Sequence, residues 1–92
     1  MEIDLTALPK PATVGEAVDI LLTDLGTEPL NELRATAEDD LIFHMMGIGR
    51  FIRNLFGLHG ENQALITSTG ATNADDASMV IVEALWRRLR LH

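Results

Sequence analysis

The sixteen residues from Leu41 to Phe56 contain ten hydrophobic side chains, two arginines and no acid. Such a run has to lie in or against a core, so it constrains the fold more than any other feature of the chain. Glu38, Asp39 and Asp40 stand ahead of it, where carboxylates favour the positive end of a helix, and Gly57 closes it. Thr36 with Asp39 has the spacing of a capping box. Wound at about 100° per residue, Leu41, Met45, Ile48, Ile52 and Leu55 share one face. The spacing therefore predicts a helix over about 37–56. Gly47 and Gly49 would each cost such a helix about 1 kcal/mol relative to Ala. A kink or a close backbone approach is the physical reason to keep them.

The flanking sequence is also helical in period. Thr13 and Glu16 have capping-box spacing, and Val14, Ala17, Val18, Leu21, Leu22 and Leu25 recur as one stripe. Gly26 offers a left-handed stop, giving a helix over about 14–25. Thr27 and Pro29 open a short second piece carrying Leu30 and Leu33. Residues 60–68 suit a short helix, or a strand through Leu65-Ile66-Thr67-Ser68-Thr69. Asn73 caps a last helix with Asp75 and Asp76 in its first turn. That helix packs Met79, Val82, Leu85, Trp86 and Leu89 and carries Arg87, Arg88 and Arg90 at its negative end. With Pro9 and Pro11, residues 1–12 read as an extended arm ahead of a single helical domain, 13–92. The expected fold is all-α, a compact bundle of four to five helices around the central glycine-containing helix. A chain of 92 residues can bury roughly 60–65% of its unfolded surface, enough for an independent core.

Charge narrows the function classes. The chain has 14 acids against 7 Lys or Arg, a net charge of −7. Residues 1–40 hold ten of the acids and two bases, a net of −8, while 41–92 hold four acids and five arginines. Direct nucleic-acid binding needs a basic face and is not expected. The acids either lie across the arginine-bearing half or face a partner with a basic surface. With no Cys, thiolate metal sites and a Cys nucleophile are excluded. No run approaches the ~18 apolar residues of a membrane span, and the acidic N-terminus lacks the charge of an export signal. A cytoplasmic location, without membrane association, is the expectation.

Opposite the core stripe, Phe43, Met46, Arg50, Arg53 and Asn54 share a second face of the central segment. Apolar anchors beside arginines are the composition of an interface centre, though burial against the last helix would also account for them. Together with Glu38, Asp39 and Asp40 they form the candidate binding set. Arg53 and Asn54 are hard to bury without partners, so His44, Arg53, Asn54, Asp75 and Asp76 are a candidate polar network. His44 lies on an apolar flank near Ile48, Phe51 and Leu55; it has the chemistry of a general base but no nucleophile at a matching spacing. Ser68 and Ser78 lie outside any G-x-S-x-G elbow. His44, His59, Asp75 and Asp76 have no metal-ligand spacing, and Gly47-Ile48-Gly49 is not a dinucleotide fingerprint. No catalytic residue, metal or cofactor is expected.

The string Phe43-His44-x-x-Gly47-x-Gly49-x-x-Ile52-Arg53-Asn54-x-x-Gly57-Leu58 continues through Asn62, Leu65, Ser68, Gly70, Asp75-Asp76-Ala77-Ser78 and Leu85-Trp86. It resembles the signature of a bacterial family of small domains of unknown function, over about residues 37–91. His59 stands where that signature has Trp, and Ala74 where it has Pro. The resemblance implies a shared all-α scaffold built around His44, Arg53, Asn54 and the Asp75-Asp76 turn, and no activity.

The resulting expectation is a non-enzymatic binding module working through protein–protein contacts, of inhibitor, antitoxin-like, immunity-type or phage-encoded antagonist character. Two other readings stand beside it. One is a small enzyme or ligand-binding domain using the His/Arg/Asn/Asp pocket. The other is a two-fold homodimer through the exposed residues of the central helix.

Overall fold

A computed structural model describes residues 11–58, 60 and 62–91, with Met45 and Met46 described by backbone alone. The arm expected over 1–12 lies outside the described residues except for Pro11 and Ala12. The chain is all-helical, with no strand among the described residues. In order come α1 (Val14–Asp24), α2 (Thr27–Ala35), a 3₁₀ segment (Glu38–His44), a π segment (Met45–Gly49), α3 (Arg50–Leu55), α4 (Gln63–Thr69) and α5 (Ala74–Arg90). These pieces outnumber the four to five expected, and no single glycine-containing helix stands at the centre.

The hub is α5, which contacts every other described element. Its buried stripe is Ala77, Ser78, Ile81, Val82, Leu85 and Leu89, with Met79 and Trp86 at the margins. Against it pack Ala17, Val18 and Leu21 of α1, Leu33 of α2, Leu41 and Ile52, and Leu65 and Ile66 of α4. Burying each large aliphatic side chain contributes about 1.5–3 kcal/mol, so this stripe is the main source of cohesion.

The segment expected as one helix is broken in three. Thr36 does not cap it. Its hydroxyl donates to the Glu32 carbonyl at 2.8 Å and meets His44 Nε2 at 2.8 Å, and its backbone ends α2. The chain then turns tightly, with Asp40 N–H donating to the Ala37 carbonyl at 2.9 Å. Both glycines fall in the π segment that follows. A 3₁₀ turn winds tighter than α and a π turn wider, so the two deviations offset each other. Leu41 and Ile52 consequently both reach the core, while Leu55 at the edge of the expected stripe stays exposed.

Local capping fixes most other boundaries. Thr13 Oγ1 accepts from Glu16 N–H at 3.2 Å, and the Glu16 carboxylate reaches back to Ala12 N–H at 3.1 Å. Ser68 Oγ on α4 accepts from Val14 N–H at 3.1 Å, tying α4 to the start of α1. Gly26 is not a left-handed stop: its φ is −67°, and it serves as the N-cap of α2, which begins at once. Gly57 does take the left-handed form (φ 67°), and Leu58 N–H donates back to the Arg53 carbonyl at 3.0 Å. Those two features are the Schellman closure. Residues 63–69 are helix rather than strand, because buried Asn62 caps them. Its Oδ1 accepts from Leu65 N–H at 3.3 Å, and its Nδ2 donates to the carbonyls of Pro11 (2.8 Å) and Phe56 (3.0 Å).

Two stability outcomes follow. A Cβ added at Gly47 would meet nothing within 4 Å. Gly47→Ala should raise the urea midpoint by the equivalent of about 0.4–1 kcal/mol at unchanged m-value. Asn62→Ala leaves two carbonyls and a helix start unpaired, and should lower stability by about 1–3 kcal/mol in the same measurement.

Candidate functional site

The polar residues singled out by sequence divide into separate groups. Arg53, whose side chain is 15% exposed, donates from Nη1 to Ser78 Oγ at 3.2 Å and lies 3.6 Å from the Asp75 carboxylate. Ser78 is fully buried and donates onward to the Asp75 carbonyl at 2.8 Å. The hydroxyl thus uses its one hydrogen within α5 and its lone pair on the guanidinium, fastening α3 to the hub. Asp76 belongs to the start of α5. Its N–H donates to Asn73 Oδ1 at 2.8 Å, and its carboxylate accepts from Asn73 Nδ2 at 3.1 Å. Asn54 is exposed on α3. Of the five expected network members, only Arg53 and Asp75 are joined to each other among the described residues.

His44 belongs to a different junction. The Thr36 hydroxyl spends its hydrogen on the Glu32 carbonyl, so His44 Nε2 is the donor in their 2.8 Å contact. The Thr36 carbonyl accepts from Trp86 Nε1 at 2.8 Å. Arg90 Nη1 donates to the Arg34 carbonyl at 3.3 Å, and its guanidinium stands 4.8 Å from the Trp86 ring centre. The end of α2 is therefore closed by Trp86 and Arg90, which donate to its last carbonyls, while His44 holds the Thr36 hydroxyl. Sequence reasoning missed this junction, because Thr36 read as the start of a helix rather than as the end of one. Ser78 was weighed as a nucleophile, although a hydroxyl three positions after Asp75 was a usable signal for an Arg53 acceptor.

The candidate binding face is open at several of its expected positions. Phe43 is 78% exposed and Ile42, not singled out by sequence, is 62% exposed. Arg50 and Asn54 are exposed, and Phe51 and Leu55 show apolar surface one turn apart on α3. Glu38, Asp39 and Asp40 are exposed immediately before them. The side chain of Met46 lies outside the described residues. Arg53 faces inward to Ser78 instead.

A second surface feature lies across the molecule's α1–α5 seam. Val14, Gly15, Val18, Ala84 and exposed Leu91, together with Arg87 and Arg88, line a shallow, open cleft of about 300 Å³. Arg88 also reaches Asp19 of α1 at 3.6 Å, both side chains being well exposed. This contact joins the acidic front half to the basic back half. No group of three or more His, Asp or Glu is placed to hold a metal among the described residues, and none of the described helices is long and apolar enough to cross a membrane.

The chain belongs to the family described as a domain of unknown function (DUF6794), whose family model matches residues 10–89. That span takes in every described helix but for the last residue of α5. No curated protein and no solved structure matches the chain.

The Arg53 grouping gives a clear ordering of effects. Asp75 is 82% exposed, so Asp75→Asn should cost less than about 1 kcal/mol, most of it from the helix end. Ser78→Ala removes a buried acceptor from Arg53 and should cost about 1–3 kcal/mol. Chemical denaturation of the two variants checks the order, and a larger loss in Asp75→Asn would refute it.

Proposed function

We propose that this domain is a non-enzymatic binding module that docks a protein partner on the face carrying Ile42, Phe43, Arg50, Phe51 and Asn54. The observation that carries the reading is Phe43, a large aromatic ring left 78% exposed beside 62%-exposed Ile42. Exposed apolar residues are ordinary when scattered singly, but adjacent ones at one end of a helical strip are the makings of an interaction site. Glu38, Asp39 and Asp40 border the same face, which suits a partner presenting Lys or Arg. Their field would speed encounter and orient it, while the apolar residues and Arg50 would hold the complex once water has left. Arg53, expected in the same set, contributes by holding α3 to α5 rather than by touching the partner. Hydrogen bonds to Thr36 and Asn73 similarly occupy His44 and Asp76.

The role that fits this design is that of a small inhibitor, antitoxin-like or immunity-type protein acting in a bacterial cytoplasm, host or phage encoded. Such proteins need a rigid scaffold and one docking face, and no reacting groups. Affinity capture from lysate at low and at high salt, with wild type beside Phe43→Ala and Asp39→Lys/Asp40→Lys, tests the proposal. The expected result is a protein retained by wild type at low salt, released by salt, and lost at least about tenfold in Phe43→Ala. Equal retention by all three chains would sink it. Because Phe43 and both aspartates are exposed, the variants should melt within a few degrees of wild type.

A further inference from the structure

From Glu38 to Leu55 the chain runs without a break through 3₁₀, π and α winding. Because the tight and wide turns offset each other, Leu41 and Ile52 are both buried in this form. They would also share one stripe of an uninterrupted α-helix. Burial of these two core anchors therefore does not choose between the windings. Contacts at the start of the segment do. Thr36 Oγ1 donates to the Glu32 carbonyl and accepts from His44 Nε2, both at 2.8 Å, and Trp86 Nε1 takes the Thr36 carbonyl. Yet Thr36 is already extended (φ −80°, ψ 137°), the conformation an N-cap needs. Asp39 stands three residues on, in an acidic first turn. At Gly47 a Cβ would meet nothing within 4 Å, so glycine there eases the wide turn without serving the packing.

We infer that residues 36–49 are a two-state winding switch. In the described form the Thr36–His44 contact holds the 3₁₀ and π turns. In the other, Asp39 N–H replaces His44 at the Thr36 hydroxyl, and Thr36 caps one continuous α-helix to Leu55. Winding at about 100° instead of about 120° per residue turns Phe43 by roughly 40° relative to Leu41. The regulatory meaning rests on the reading of Phe43 as a docking anchor. The two forms present that ring differently, so a partner that grips it binds them unequally and shifts the balance between them.

Nuclear magnetic resonance of the isotope-labelled full chain tests the switch. In wild type, Hα–HN cross-peaks over 38–44 should span two and three residues, as 3₁₀ turns require. His44→Ala removes the pin, and should give four-residue cross-peaks through to Leu55 with ¹³Cα shifts over 38–49 moved downfield to α-helical values. His44→Gln keeps a donor for Thr36 and should retain the wild-type pattern. Gly47→Ala leaves the junction intact, raises the α preference, and should move the same shifts downfield. Wild-type winding in His44→Ala, or random-coil shifts over 38–49 in that variant while the rest stays folded, would overturn the inference. Should His44→Ala fail to fold, unchanged shifts in Gly47→Ala would do so. Coupling is read by capture from lysate, where rewound His44→Ala should retain at least about fivefold more or less protein than wild type. Equal retention would overturn the regulatory step. Rewinding in the variants with capture indifferent to Phe43→Ala would leave the switch standing and remove the docking face. Fixed winding with Phe43-dependent capture would do the reverse.

Discussion

Burial of one stripe of α5 holds the molecule together. Ile81, Val82, Leu85 and Leu89 receive apolar residues from all the other elements, so no two of the short helices need a large interface of their own. Helices of six to eleven residues are marginal in isolation. Their persistence here comes from packing on the seventeen-residue α5 and from caps that leave few backbone groups unpaired. Among the described residues, no buried side-chain nitrogen or oxygen lacks a hydrogen-bond partner.

Polar side chains serve this arrangement at three seams. Arg53 and Ser78 pin α3, Asn62 pins the start of α4 to Pro11 and Phe56, and Trp86 with Arg90 closes the end of α2. The last two use hydrogen-bonding groups where a helix end would otherwise leave carbonyls or amides bare. With these residues committed to the scaffold, the Ile42–Phe43 shoulder and the arginine-lined cleft remain at the surface. The unequal charge of the two halves takes on a spatial meaning. Exposed Glu38, Asp39 and Asp40 lie just ahead of Phe43, while Arg87 and Arg88 line the α1–α5 cleft, where Arg88 meets Asp19.

Much of this was legible from sequence where the signal is local. The Thr13–Glu16 box, the end of the apolar run at Gly57 and the Asn73 cap of α5 depend on local signals, and all three are present. That Arg53 needs a partner was legible too, since an arginine in an apolar run is hard to bury alone, but Asp75, Asp76 and the early acids all stood open as candidates. The Thr36–Asp39 box failed because a nonlocal competitor, the His44 ring together with the end of α2, took the hydroxyl. Gly26 failed as a stop because α2 follows without a loop.

By itself the sequence determined the helical class, the capped ends, the apolar run that must meet a core, and the segregation of acids from arginines. These follow from period, side-chain chemistry and short spacing. Tertiary structure alone decided that 37–56 breaks into 3₁₀, π and α turns, that α5 rather than this segment is the hub, and that Phe43 stays outside while Arg53 turns in. Those outcomes depend on which partner each face meets across twenty-five to fifty residues of chain, as the Arg53–Ser78 and Thr36–Trp86 bonds do. No local pattern encodes such distances, because the competing arrangements satisfy the same periodicity equally well.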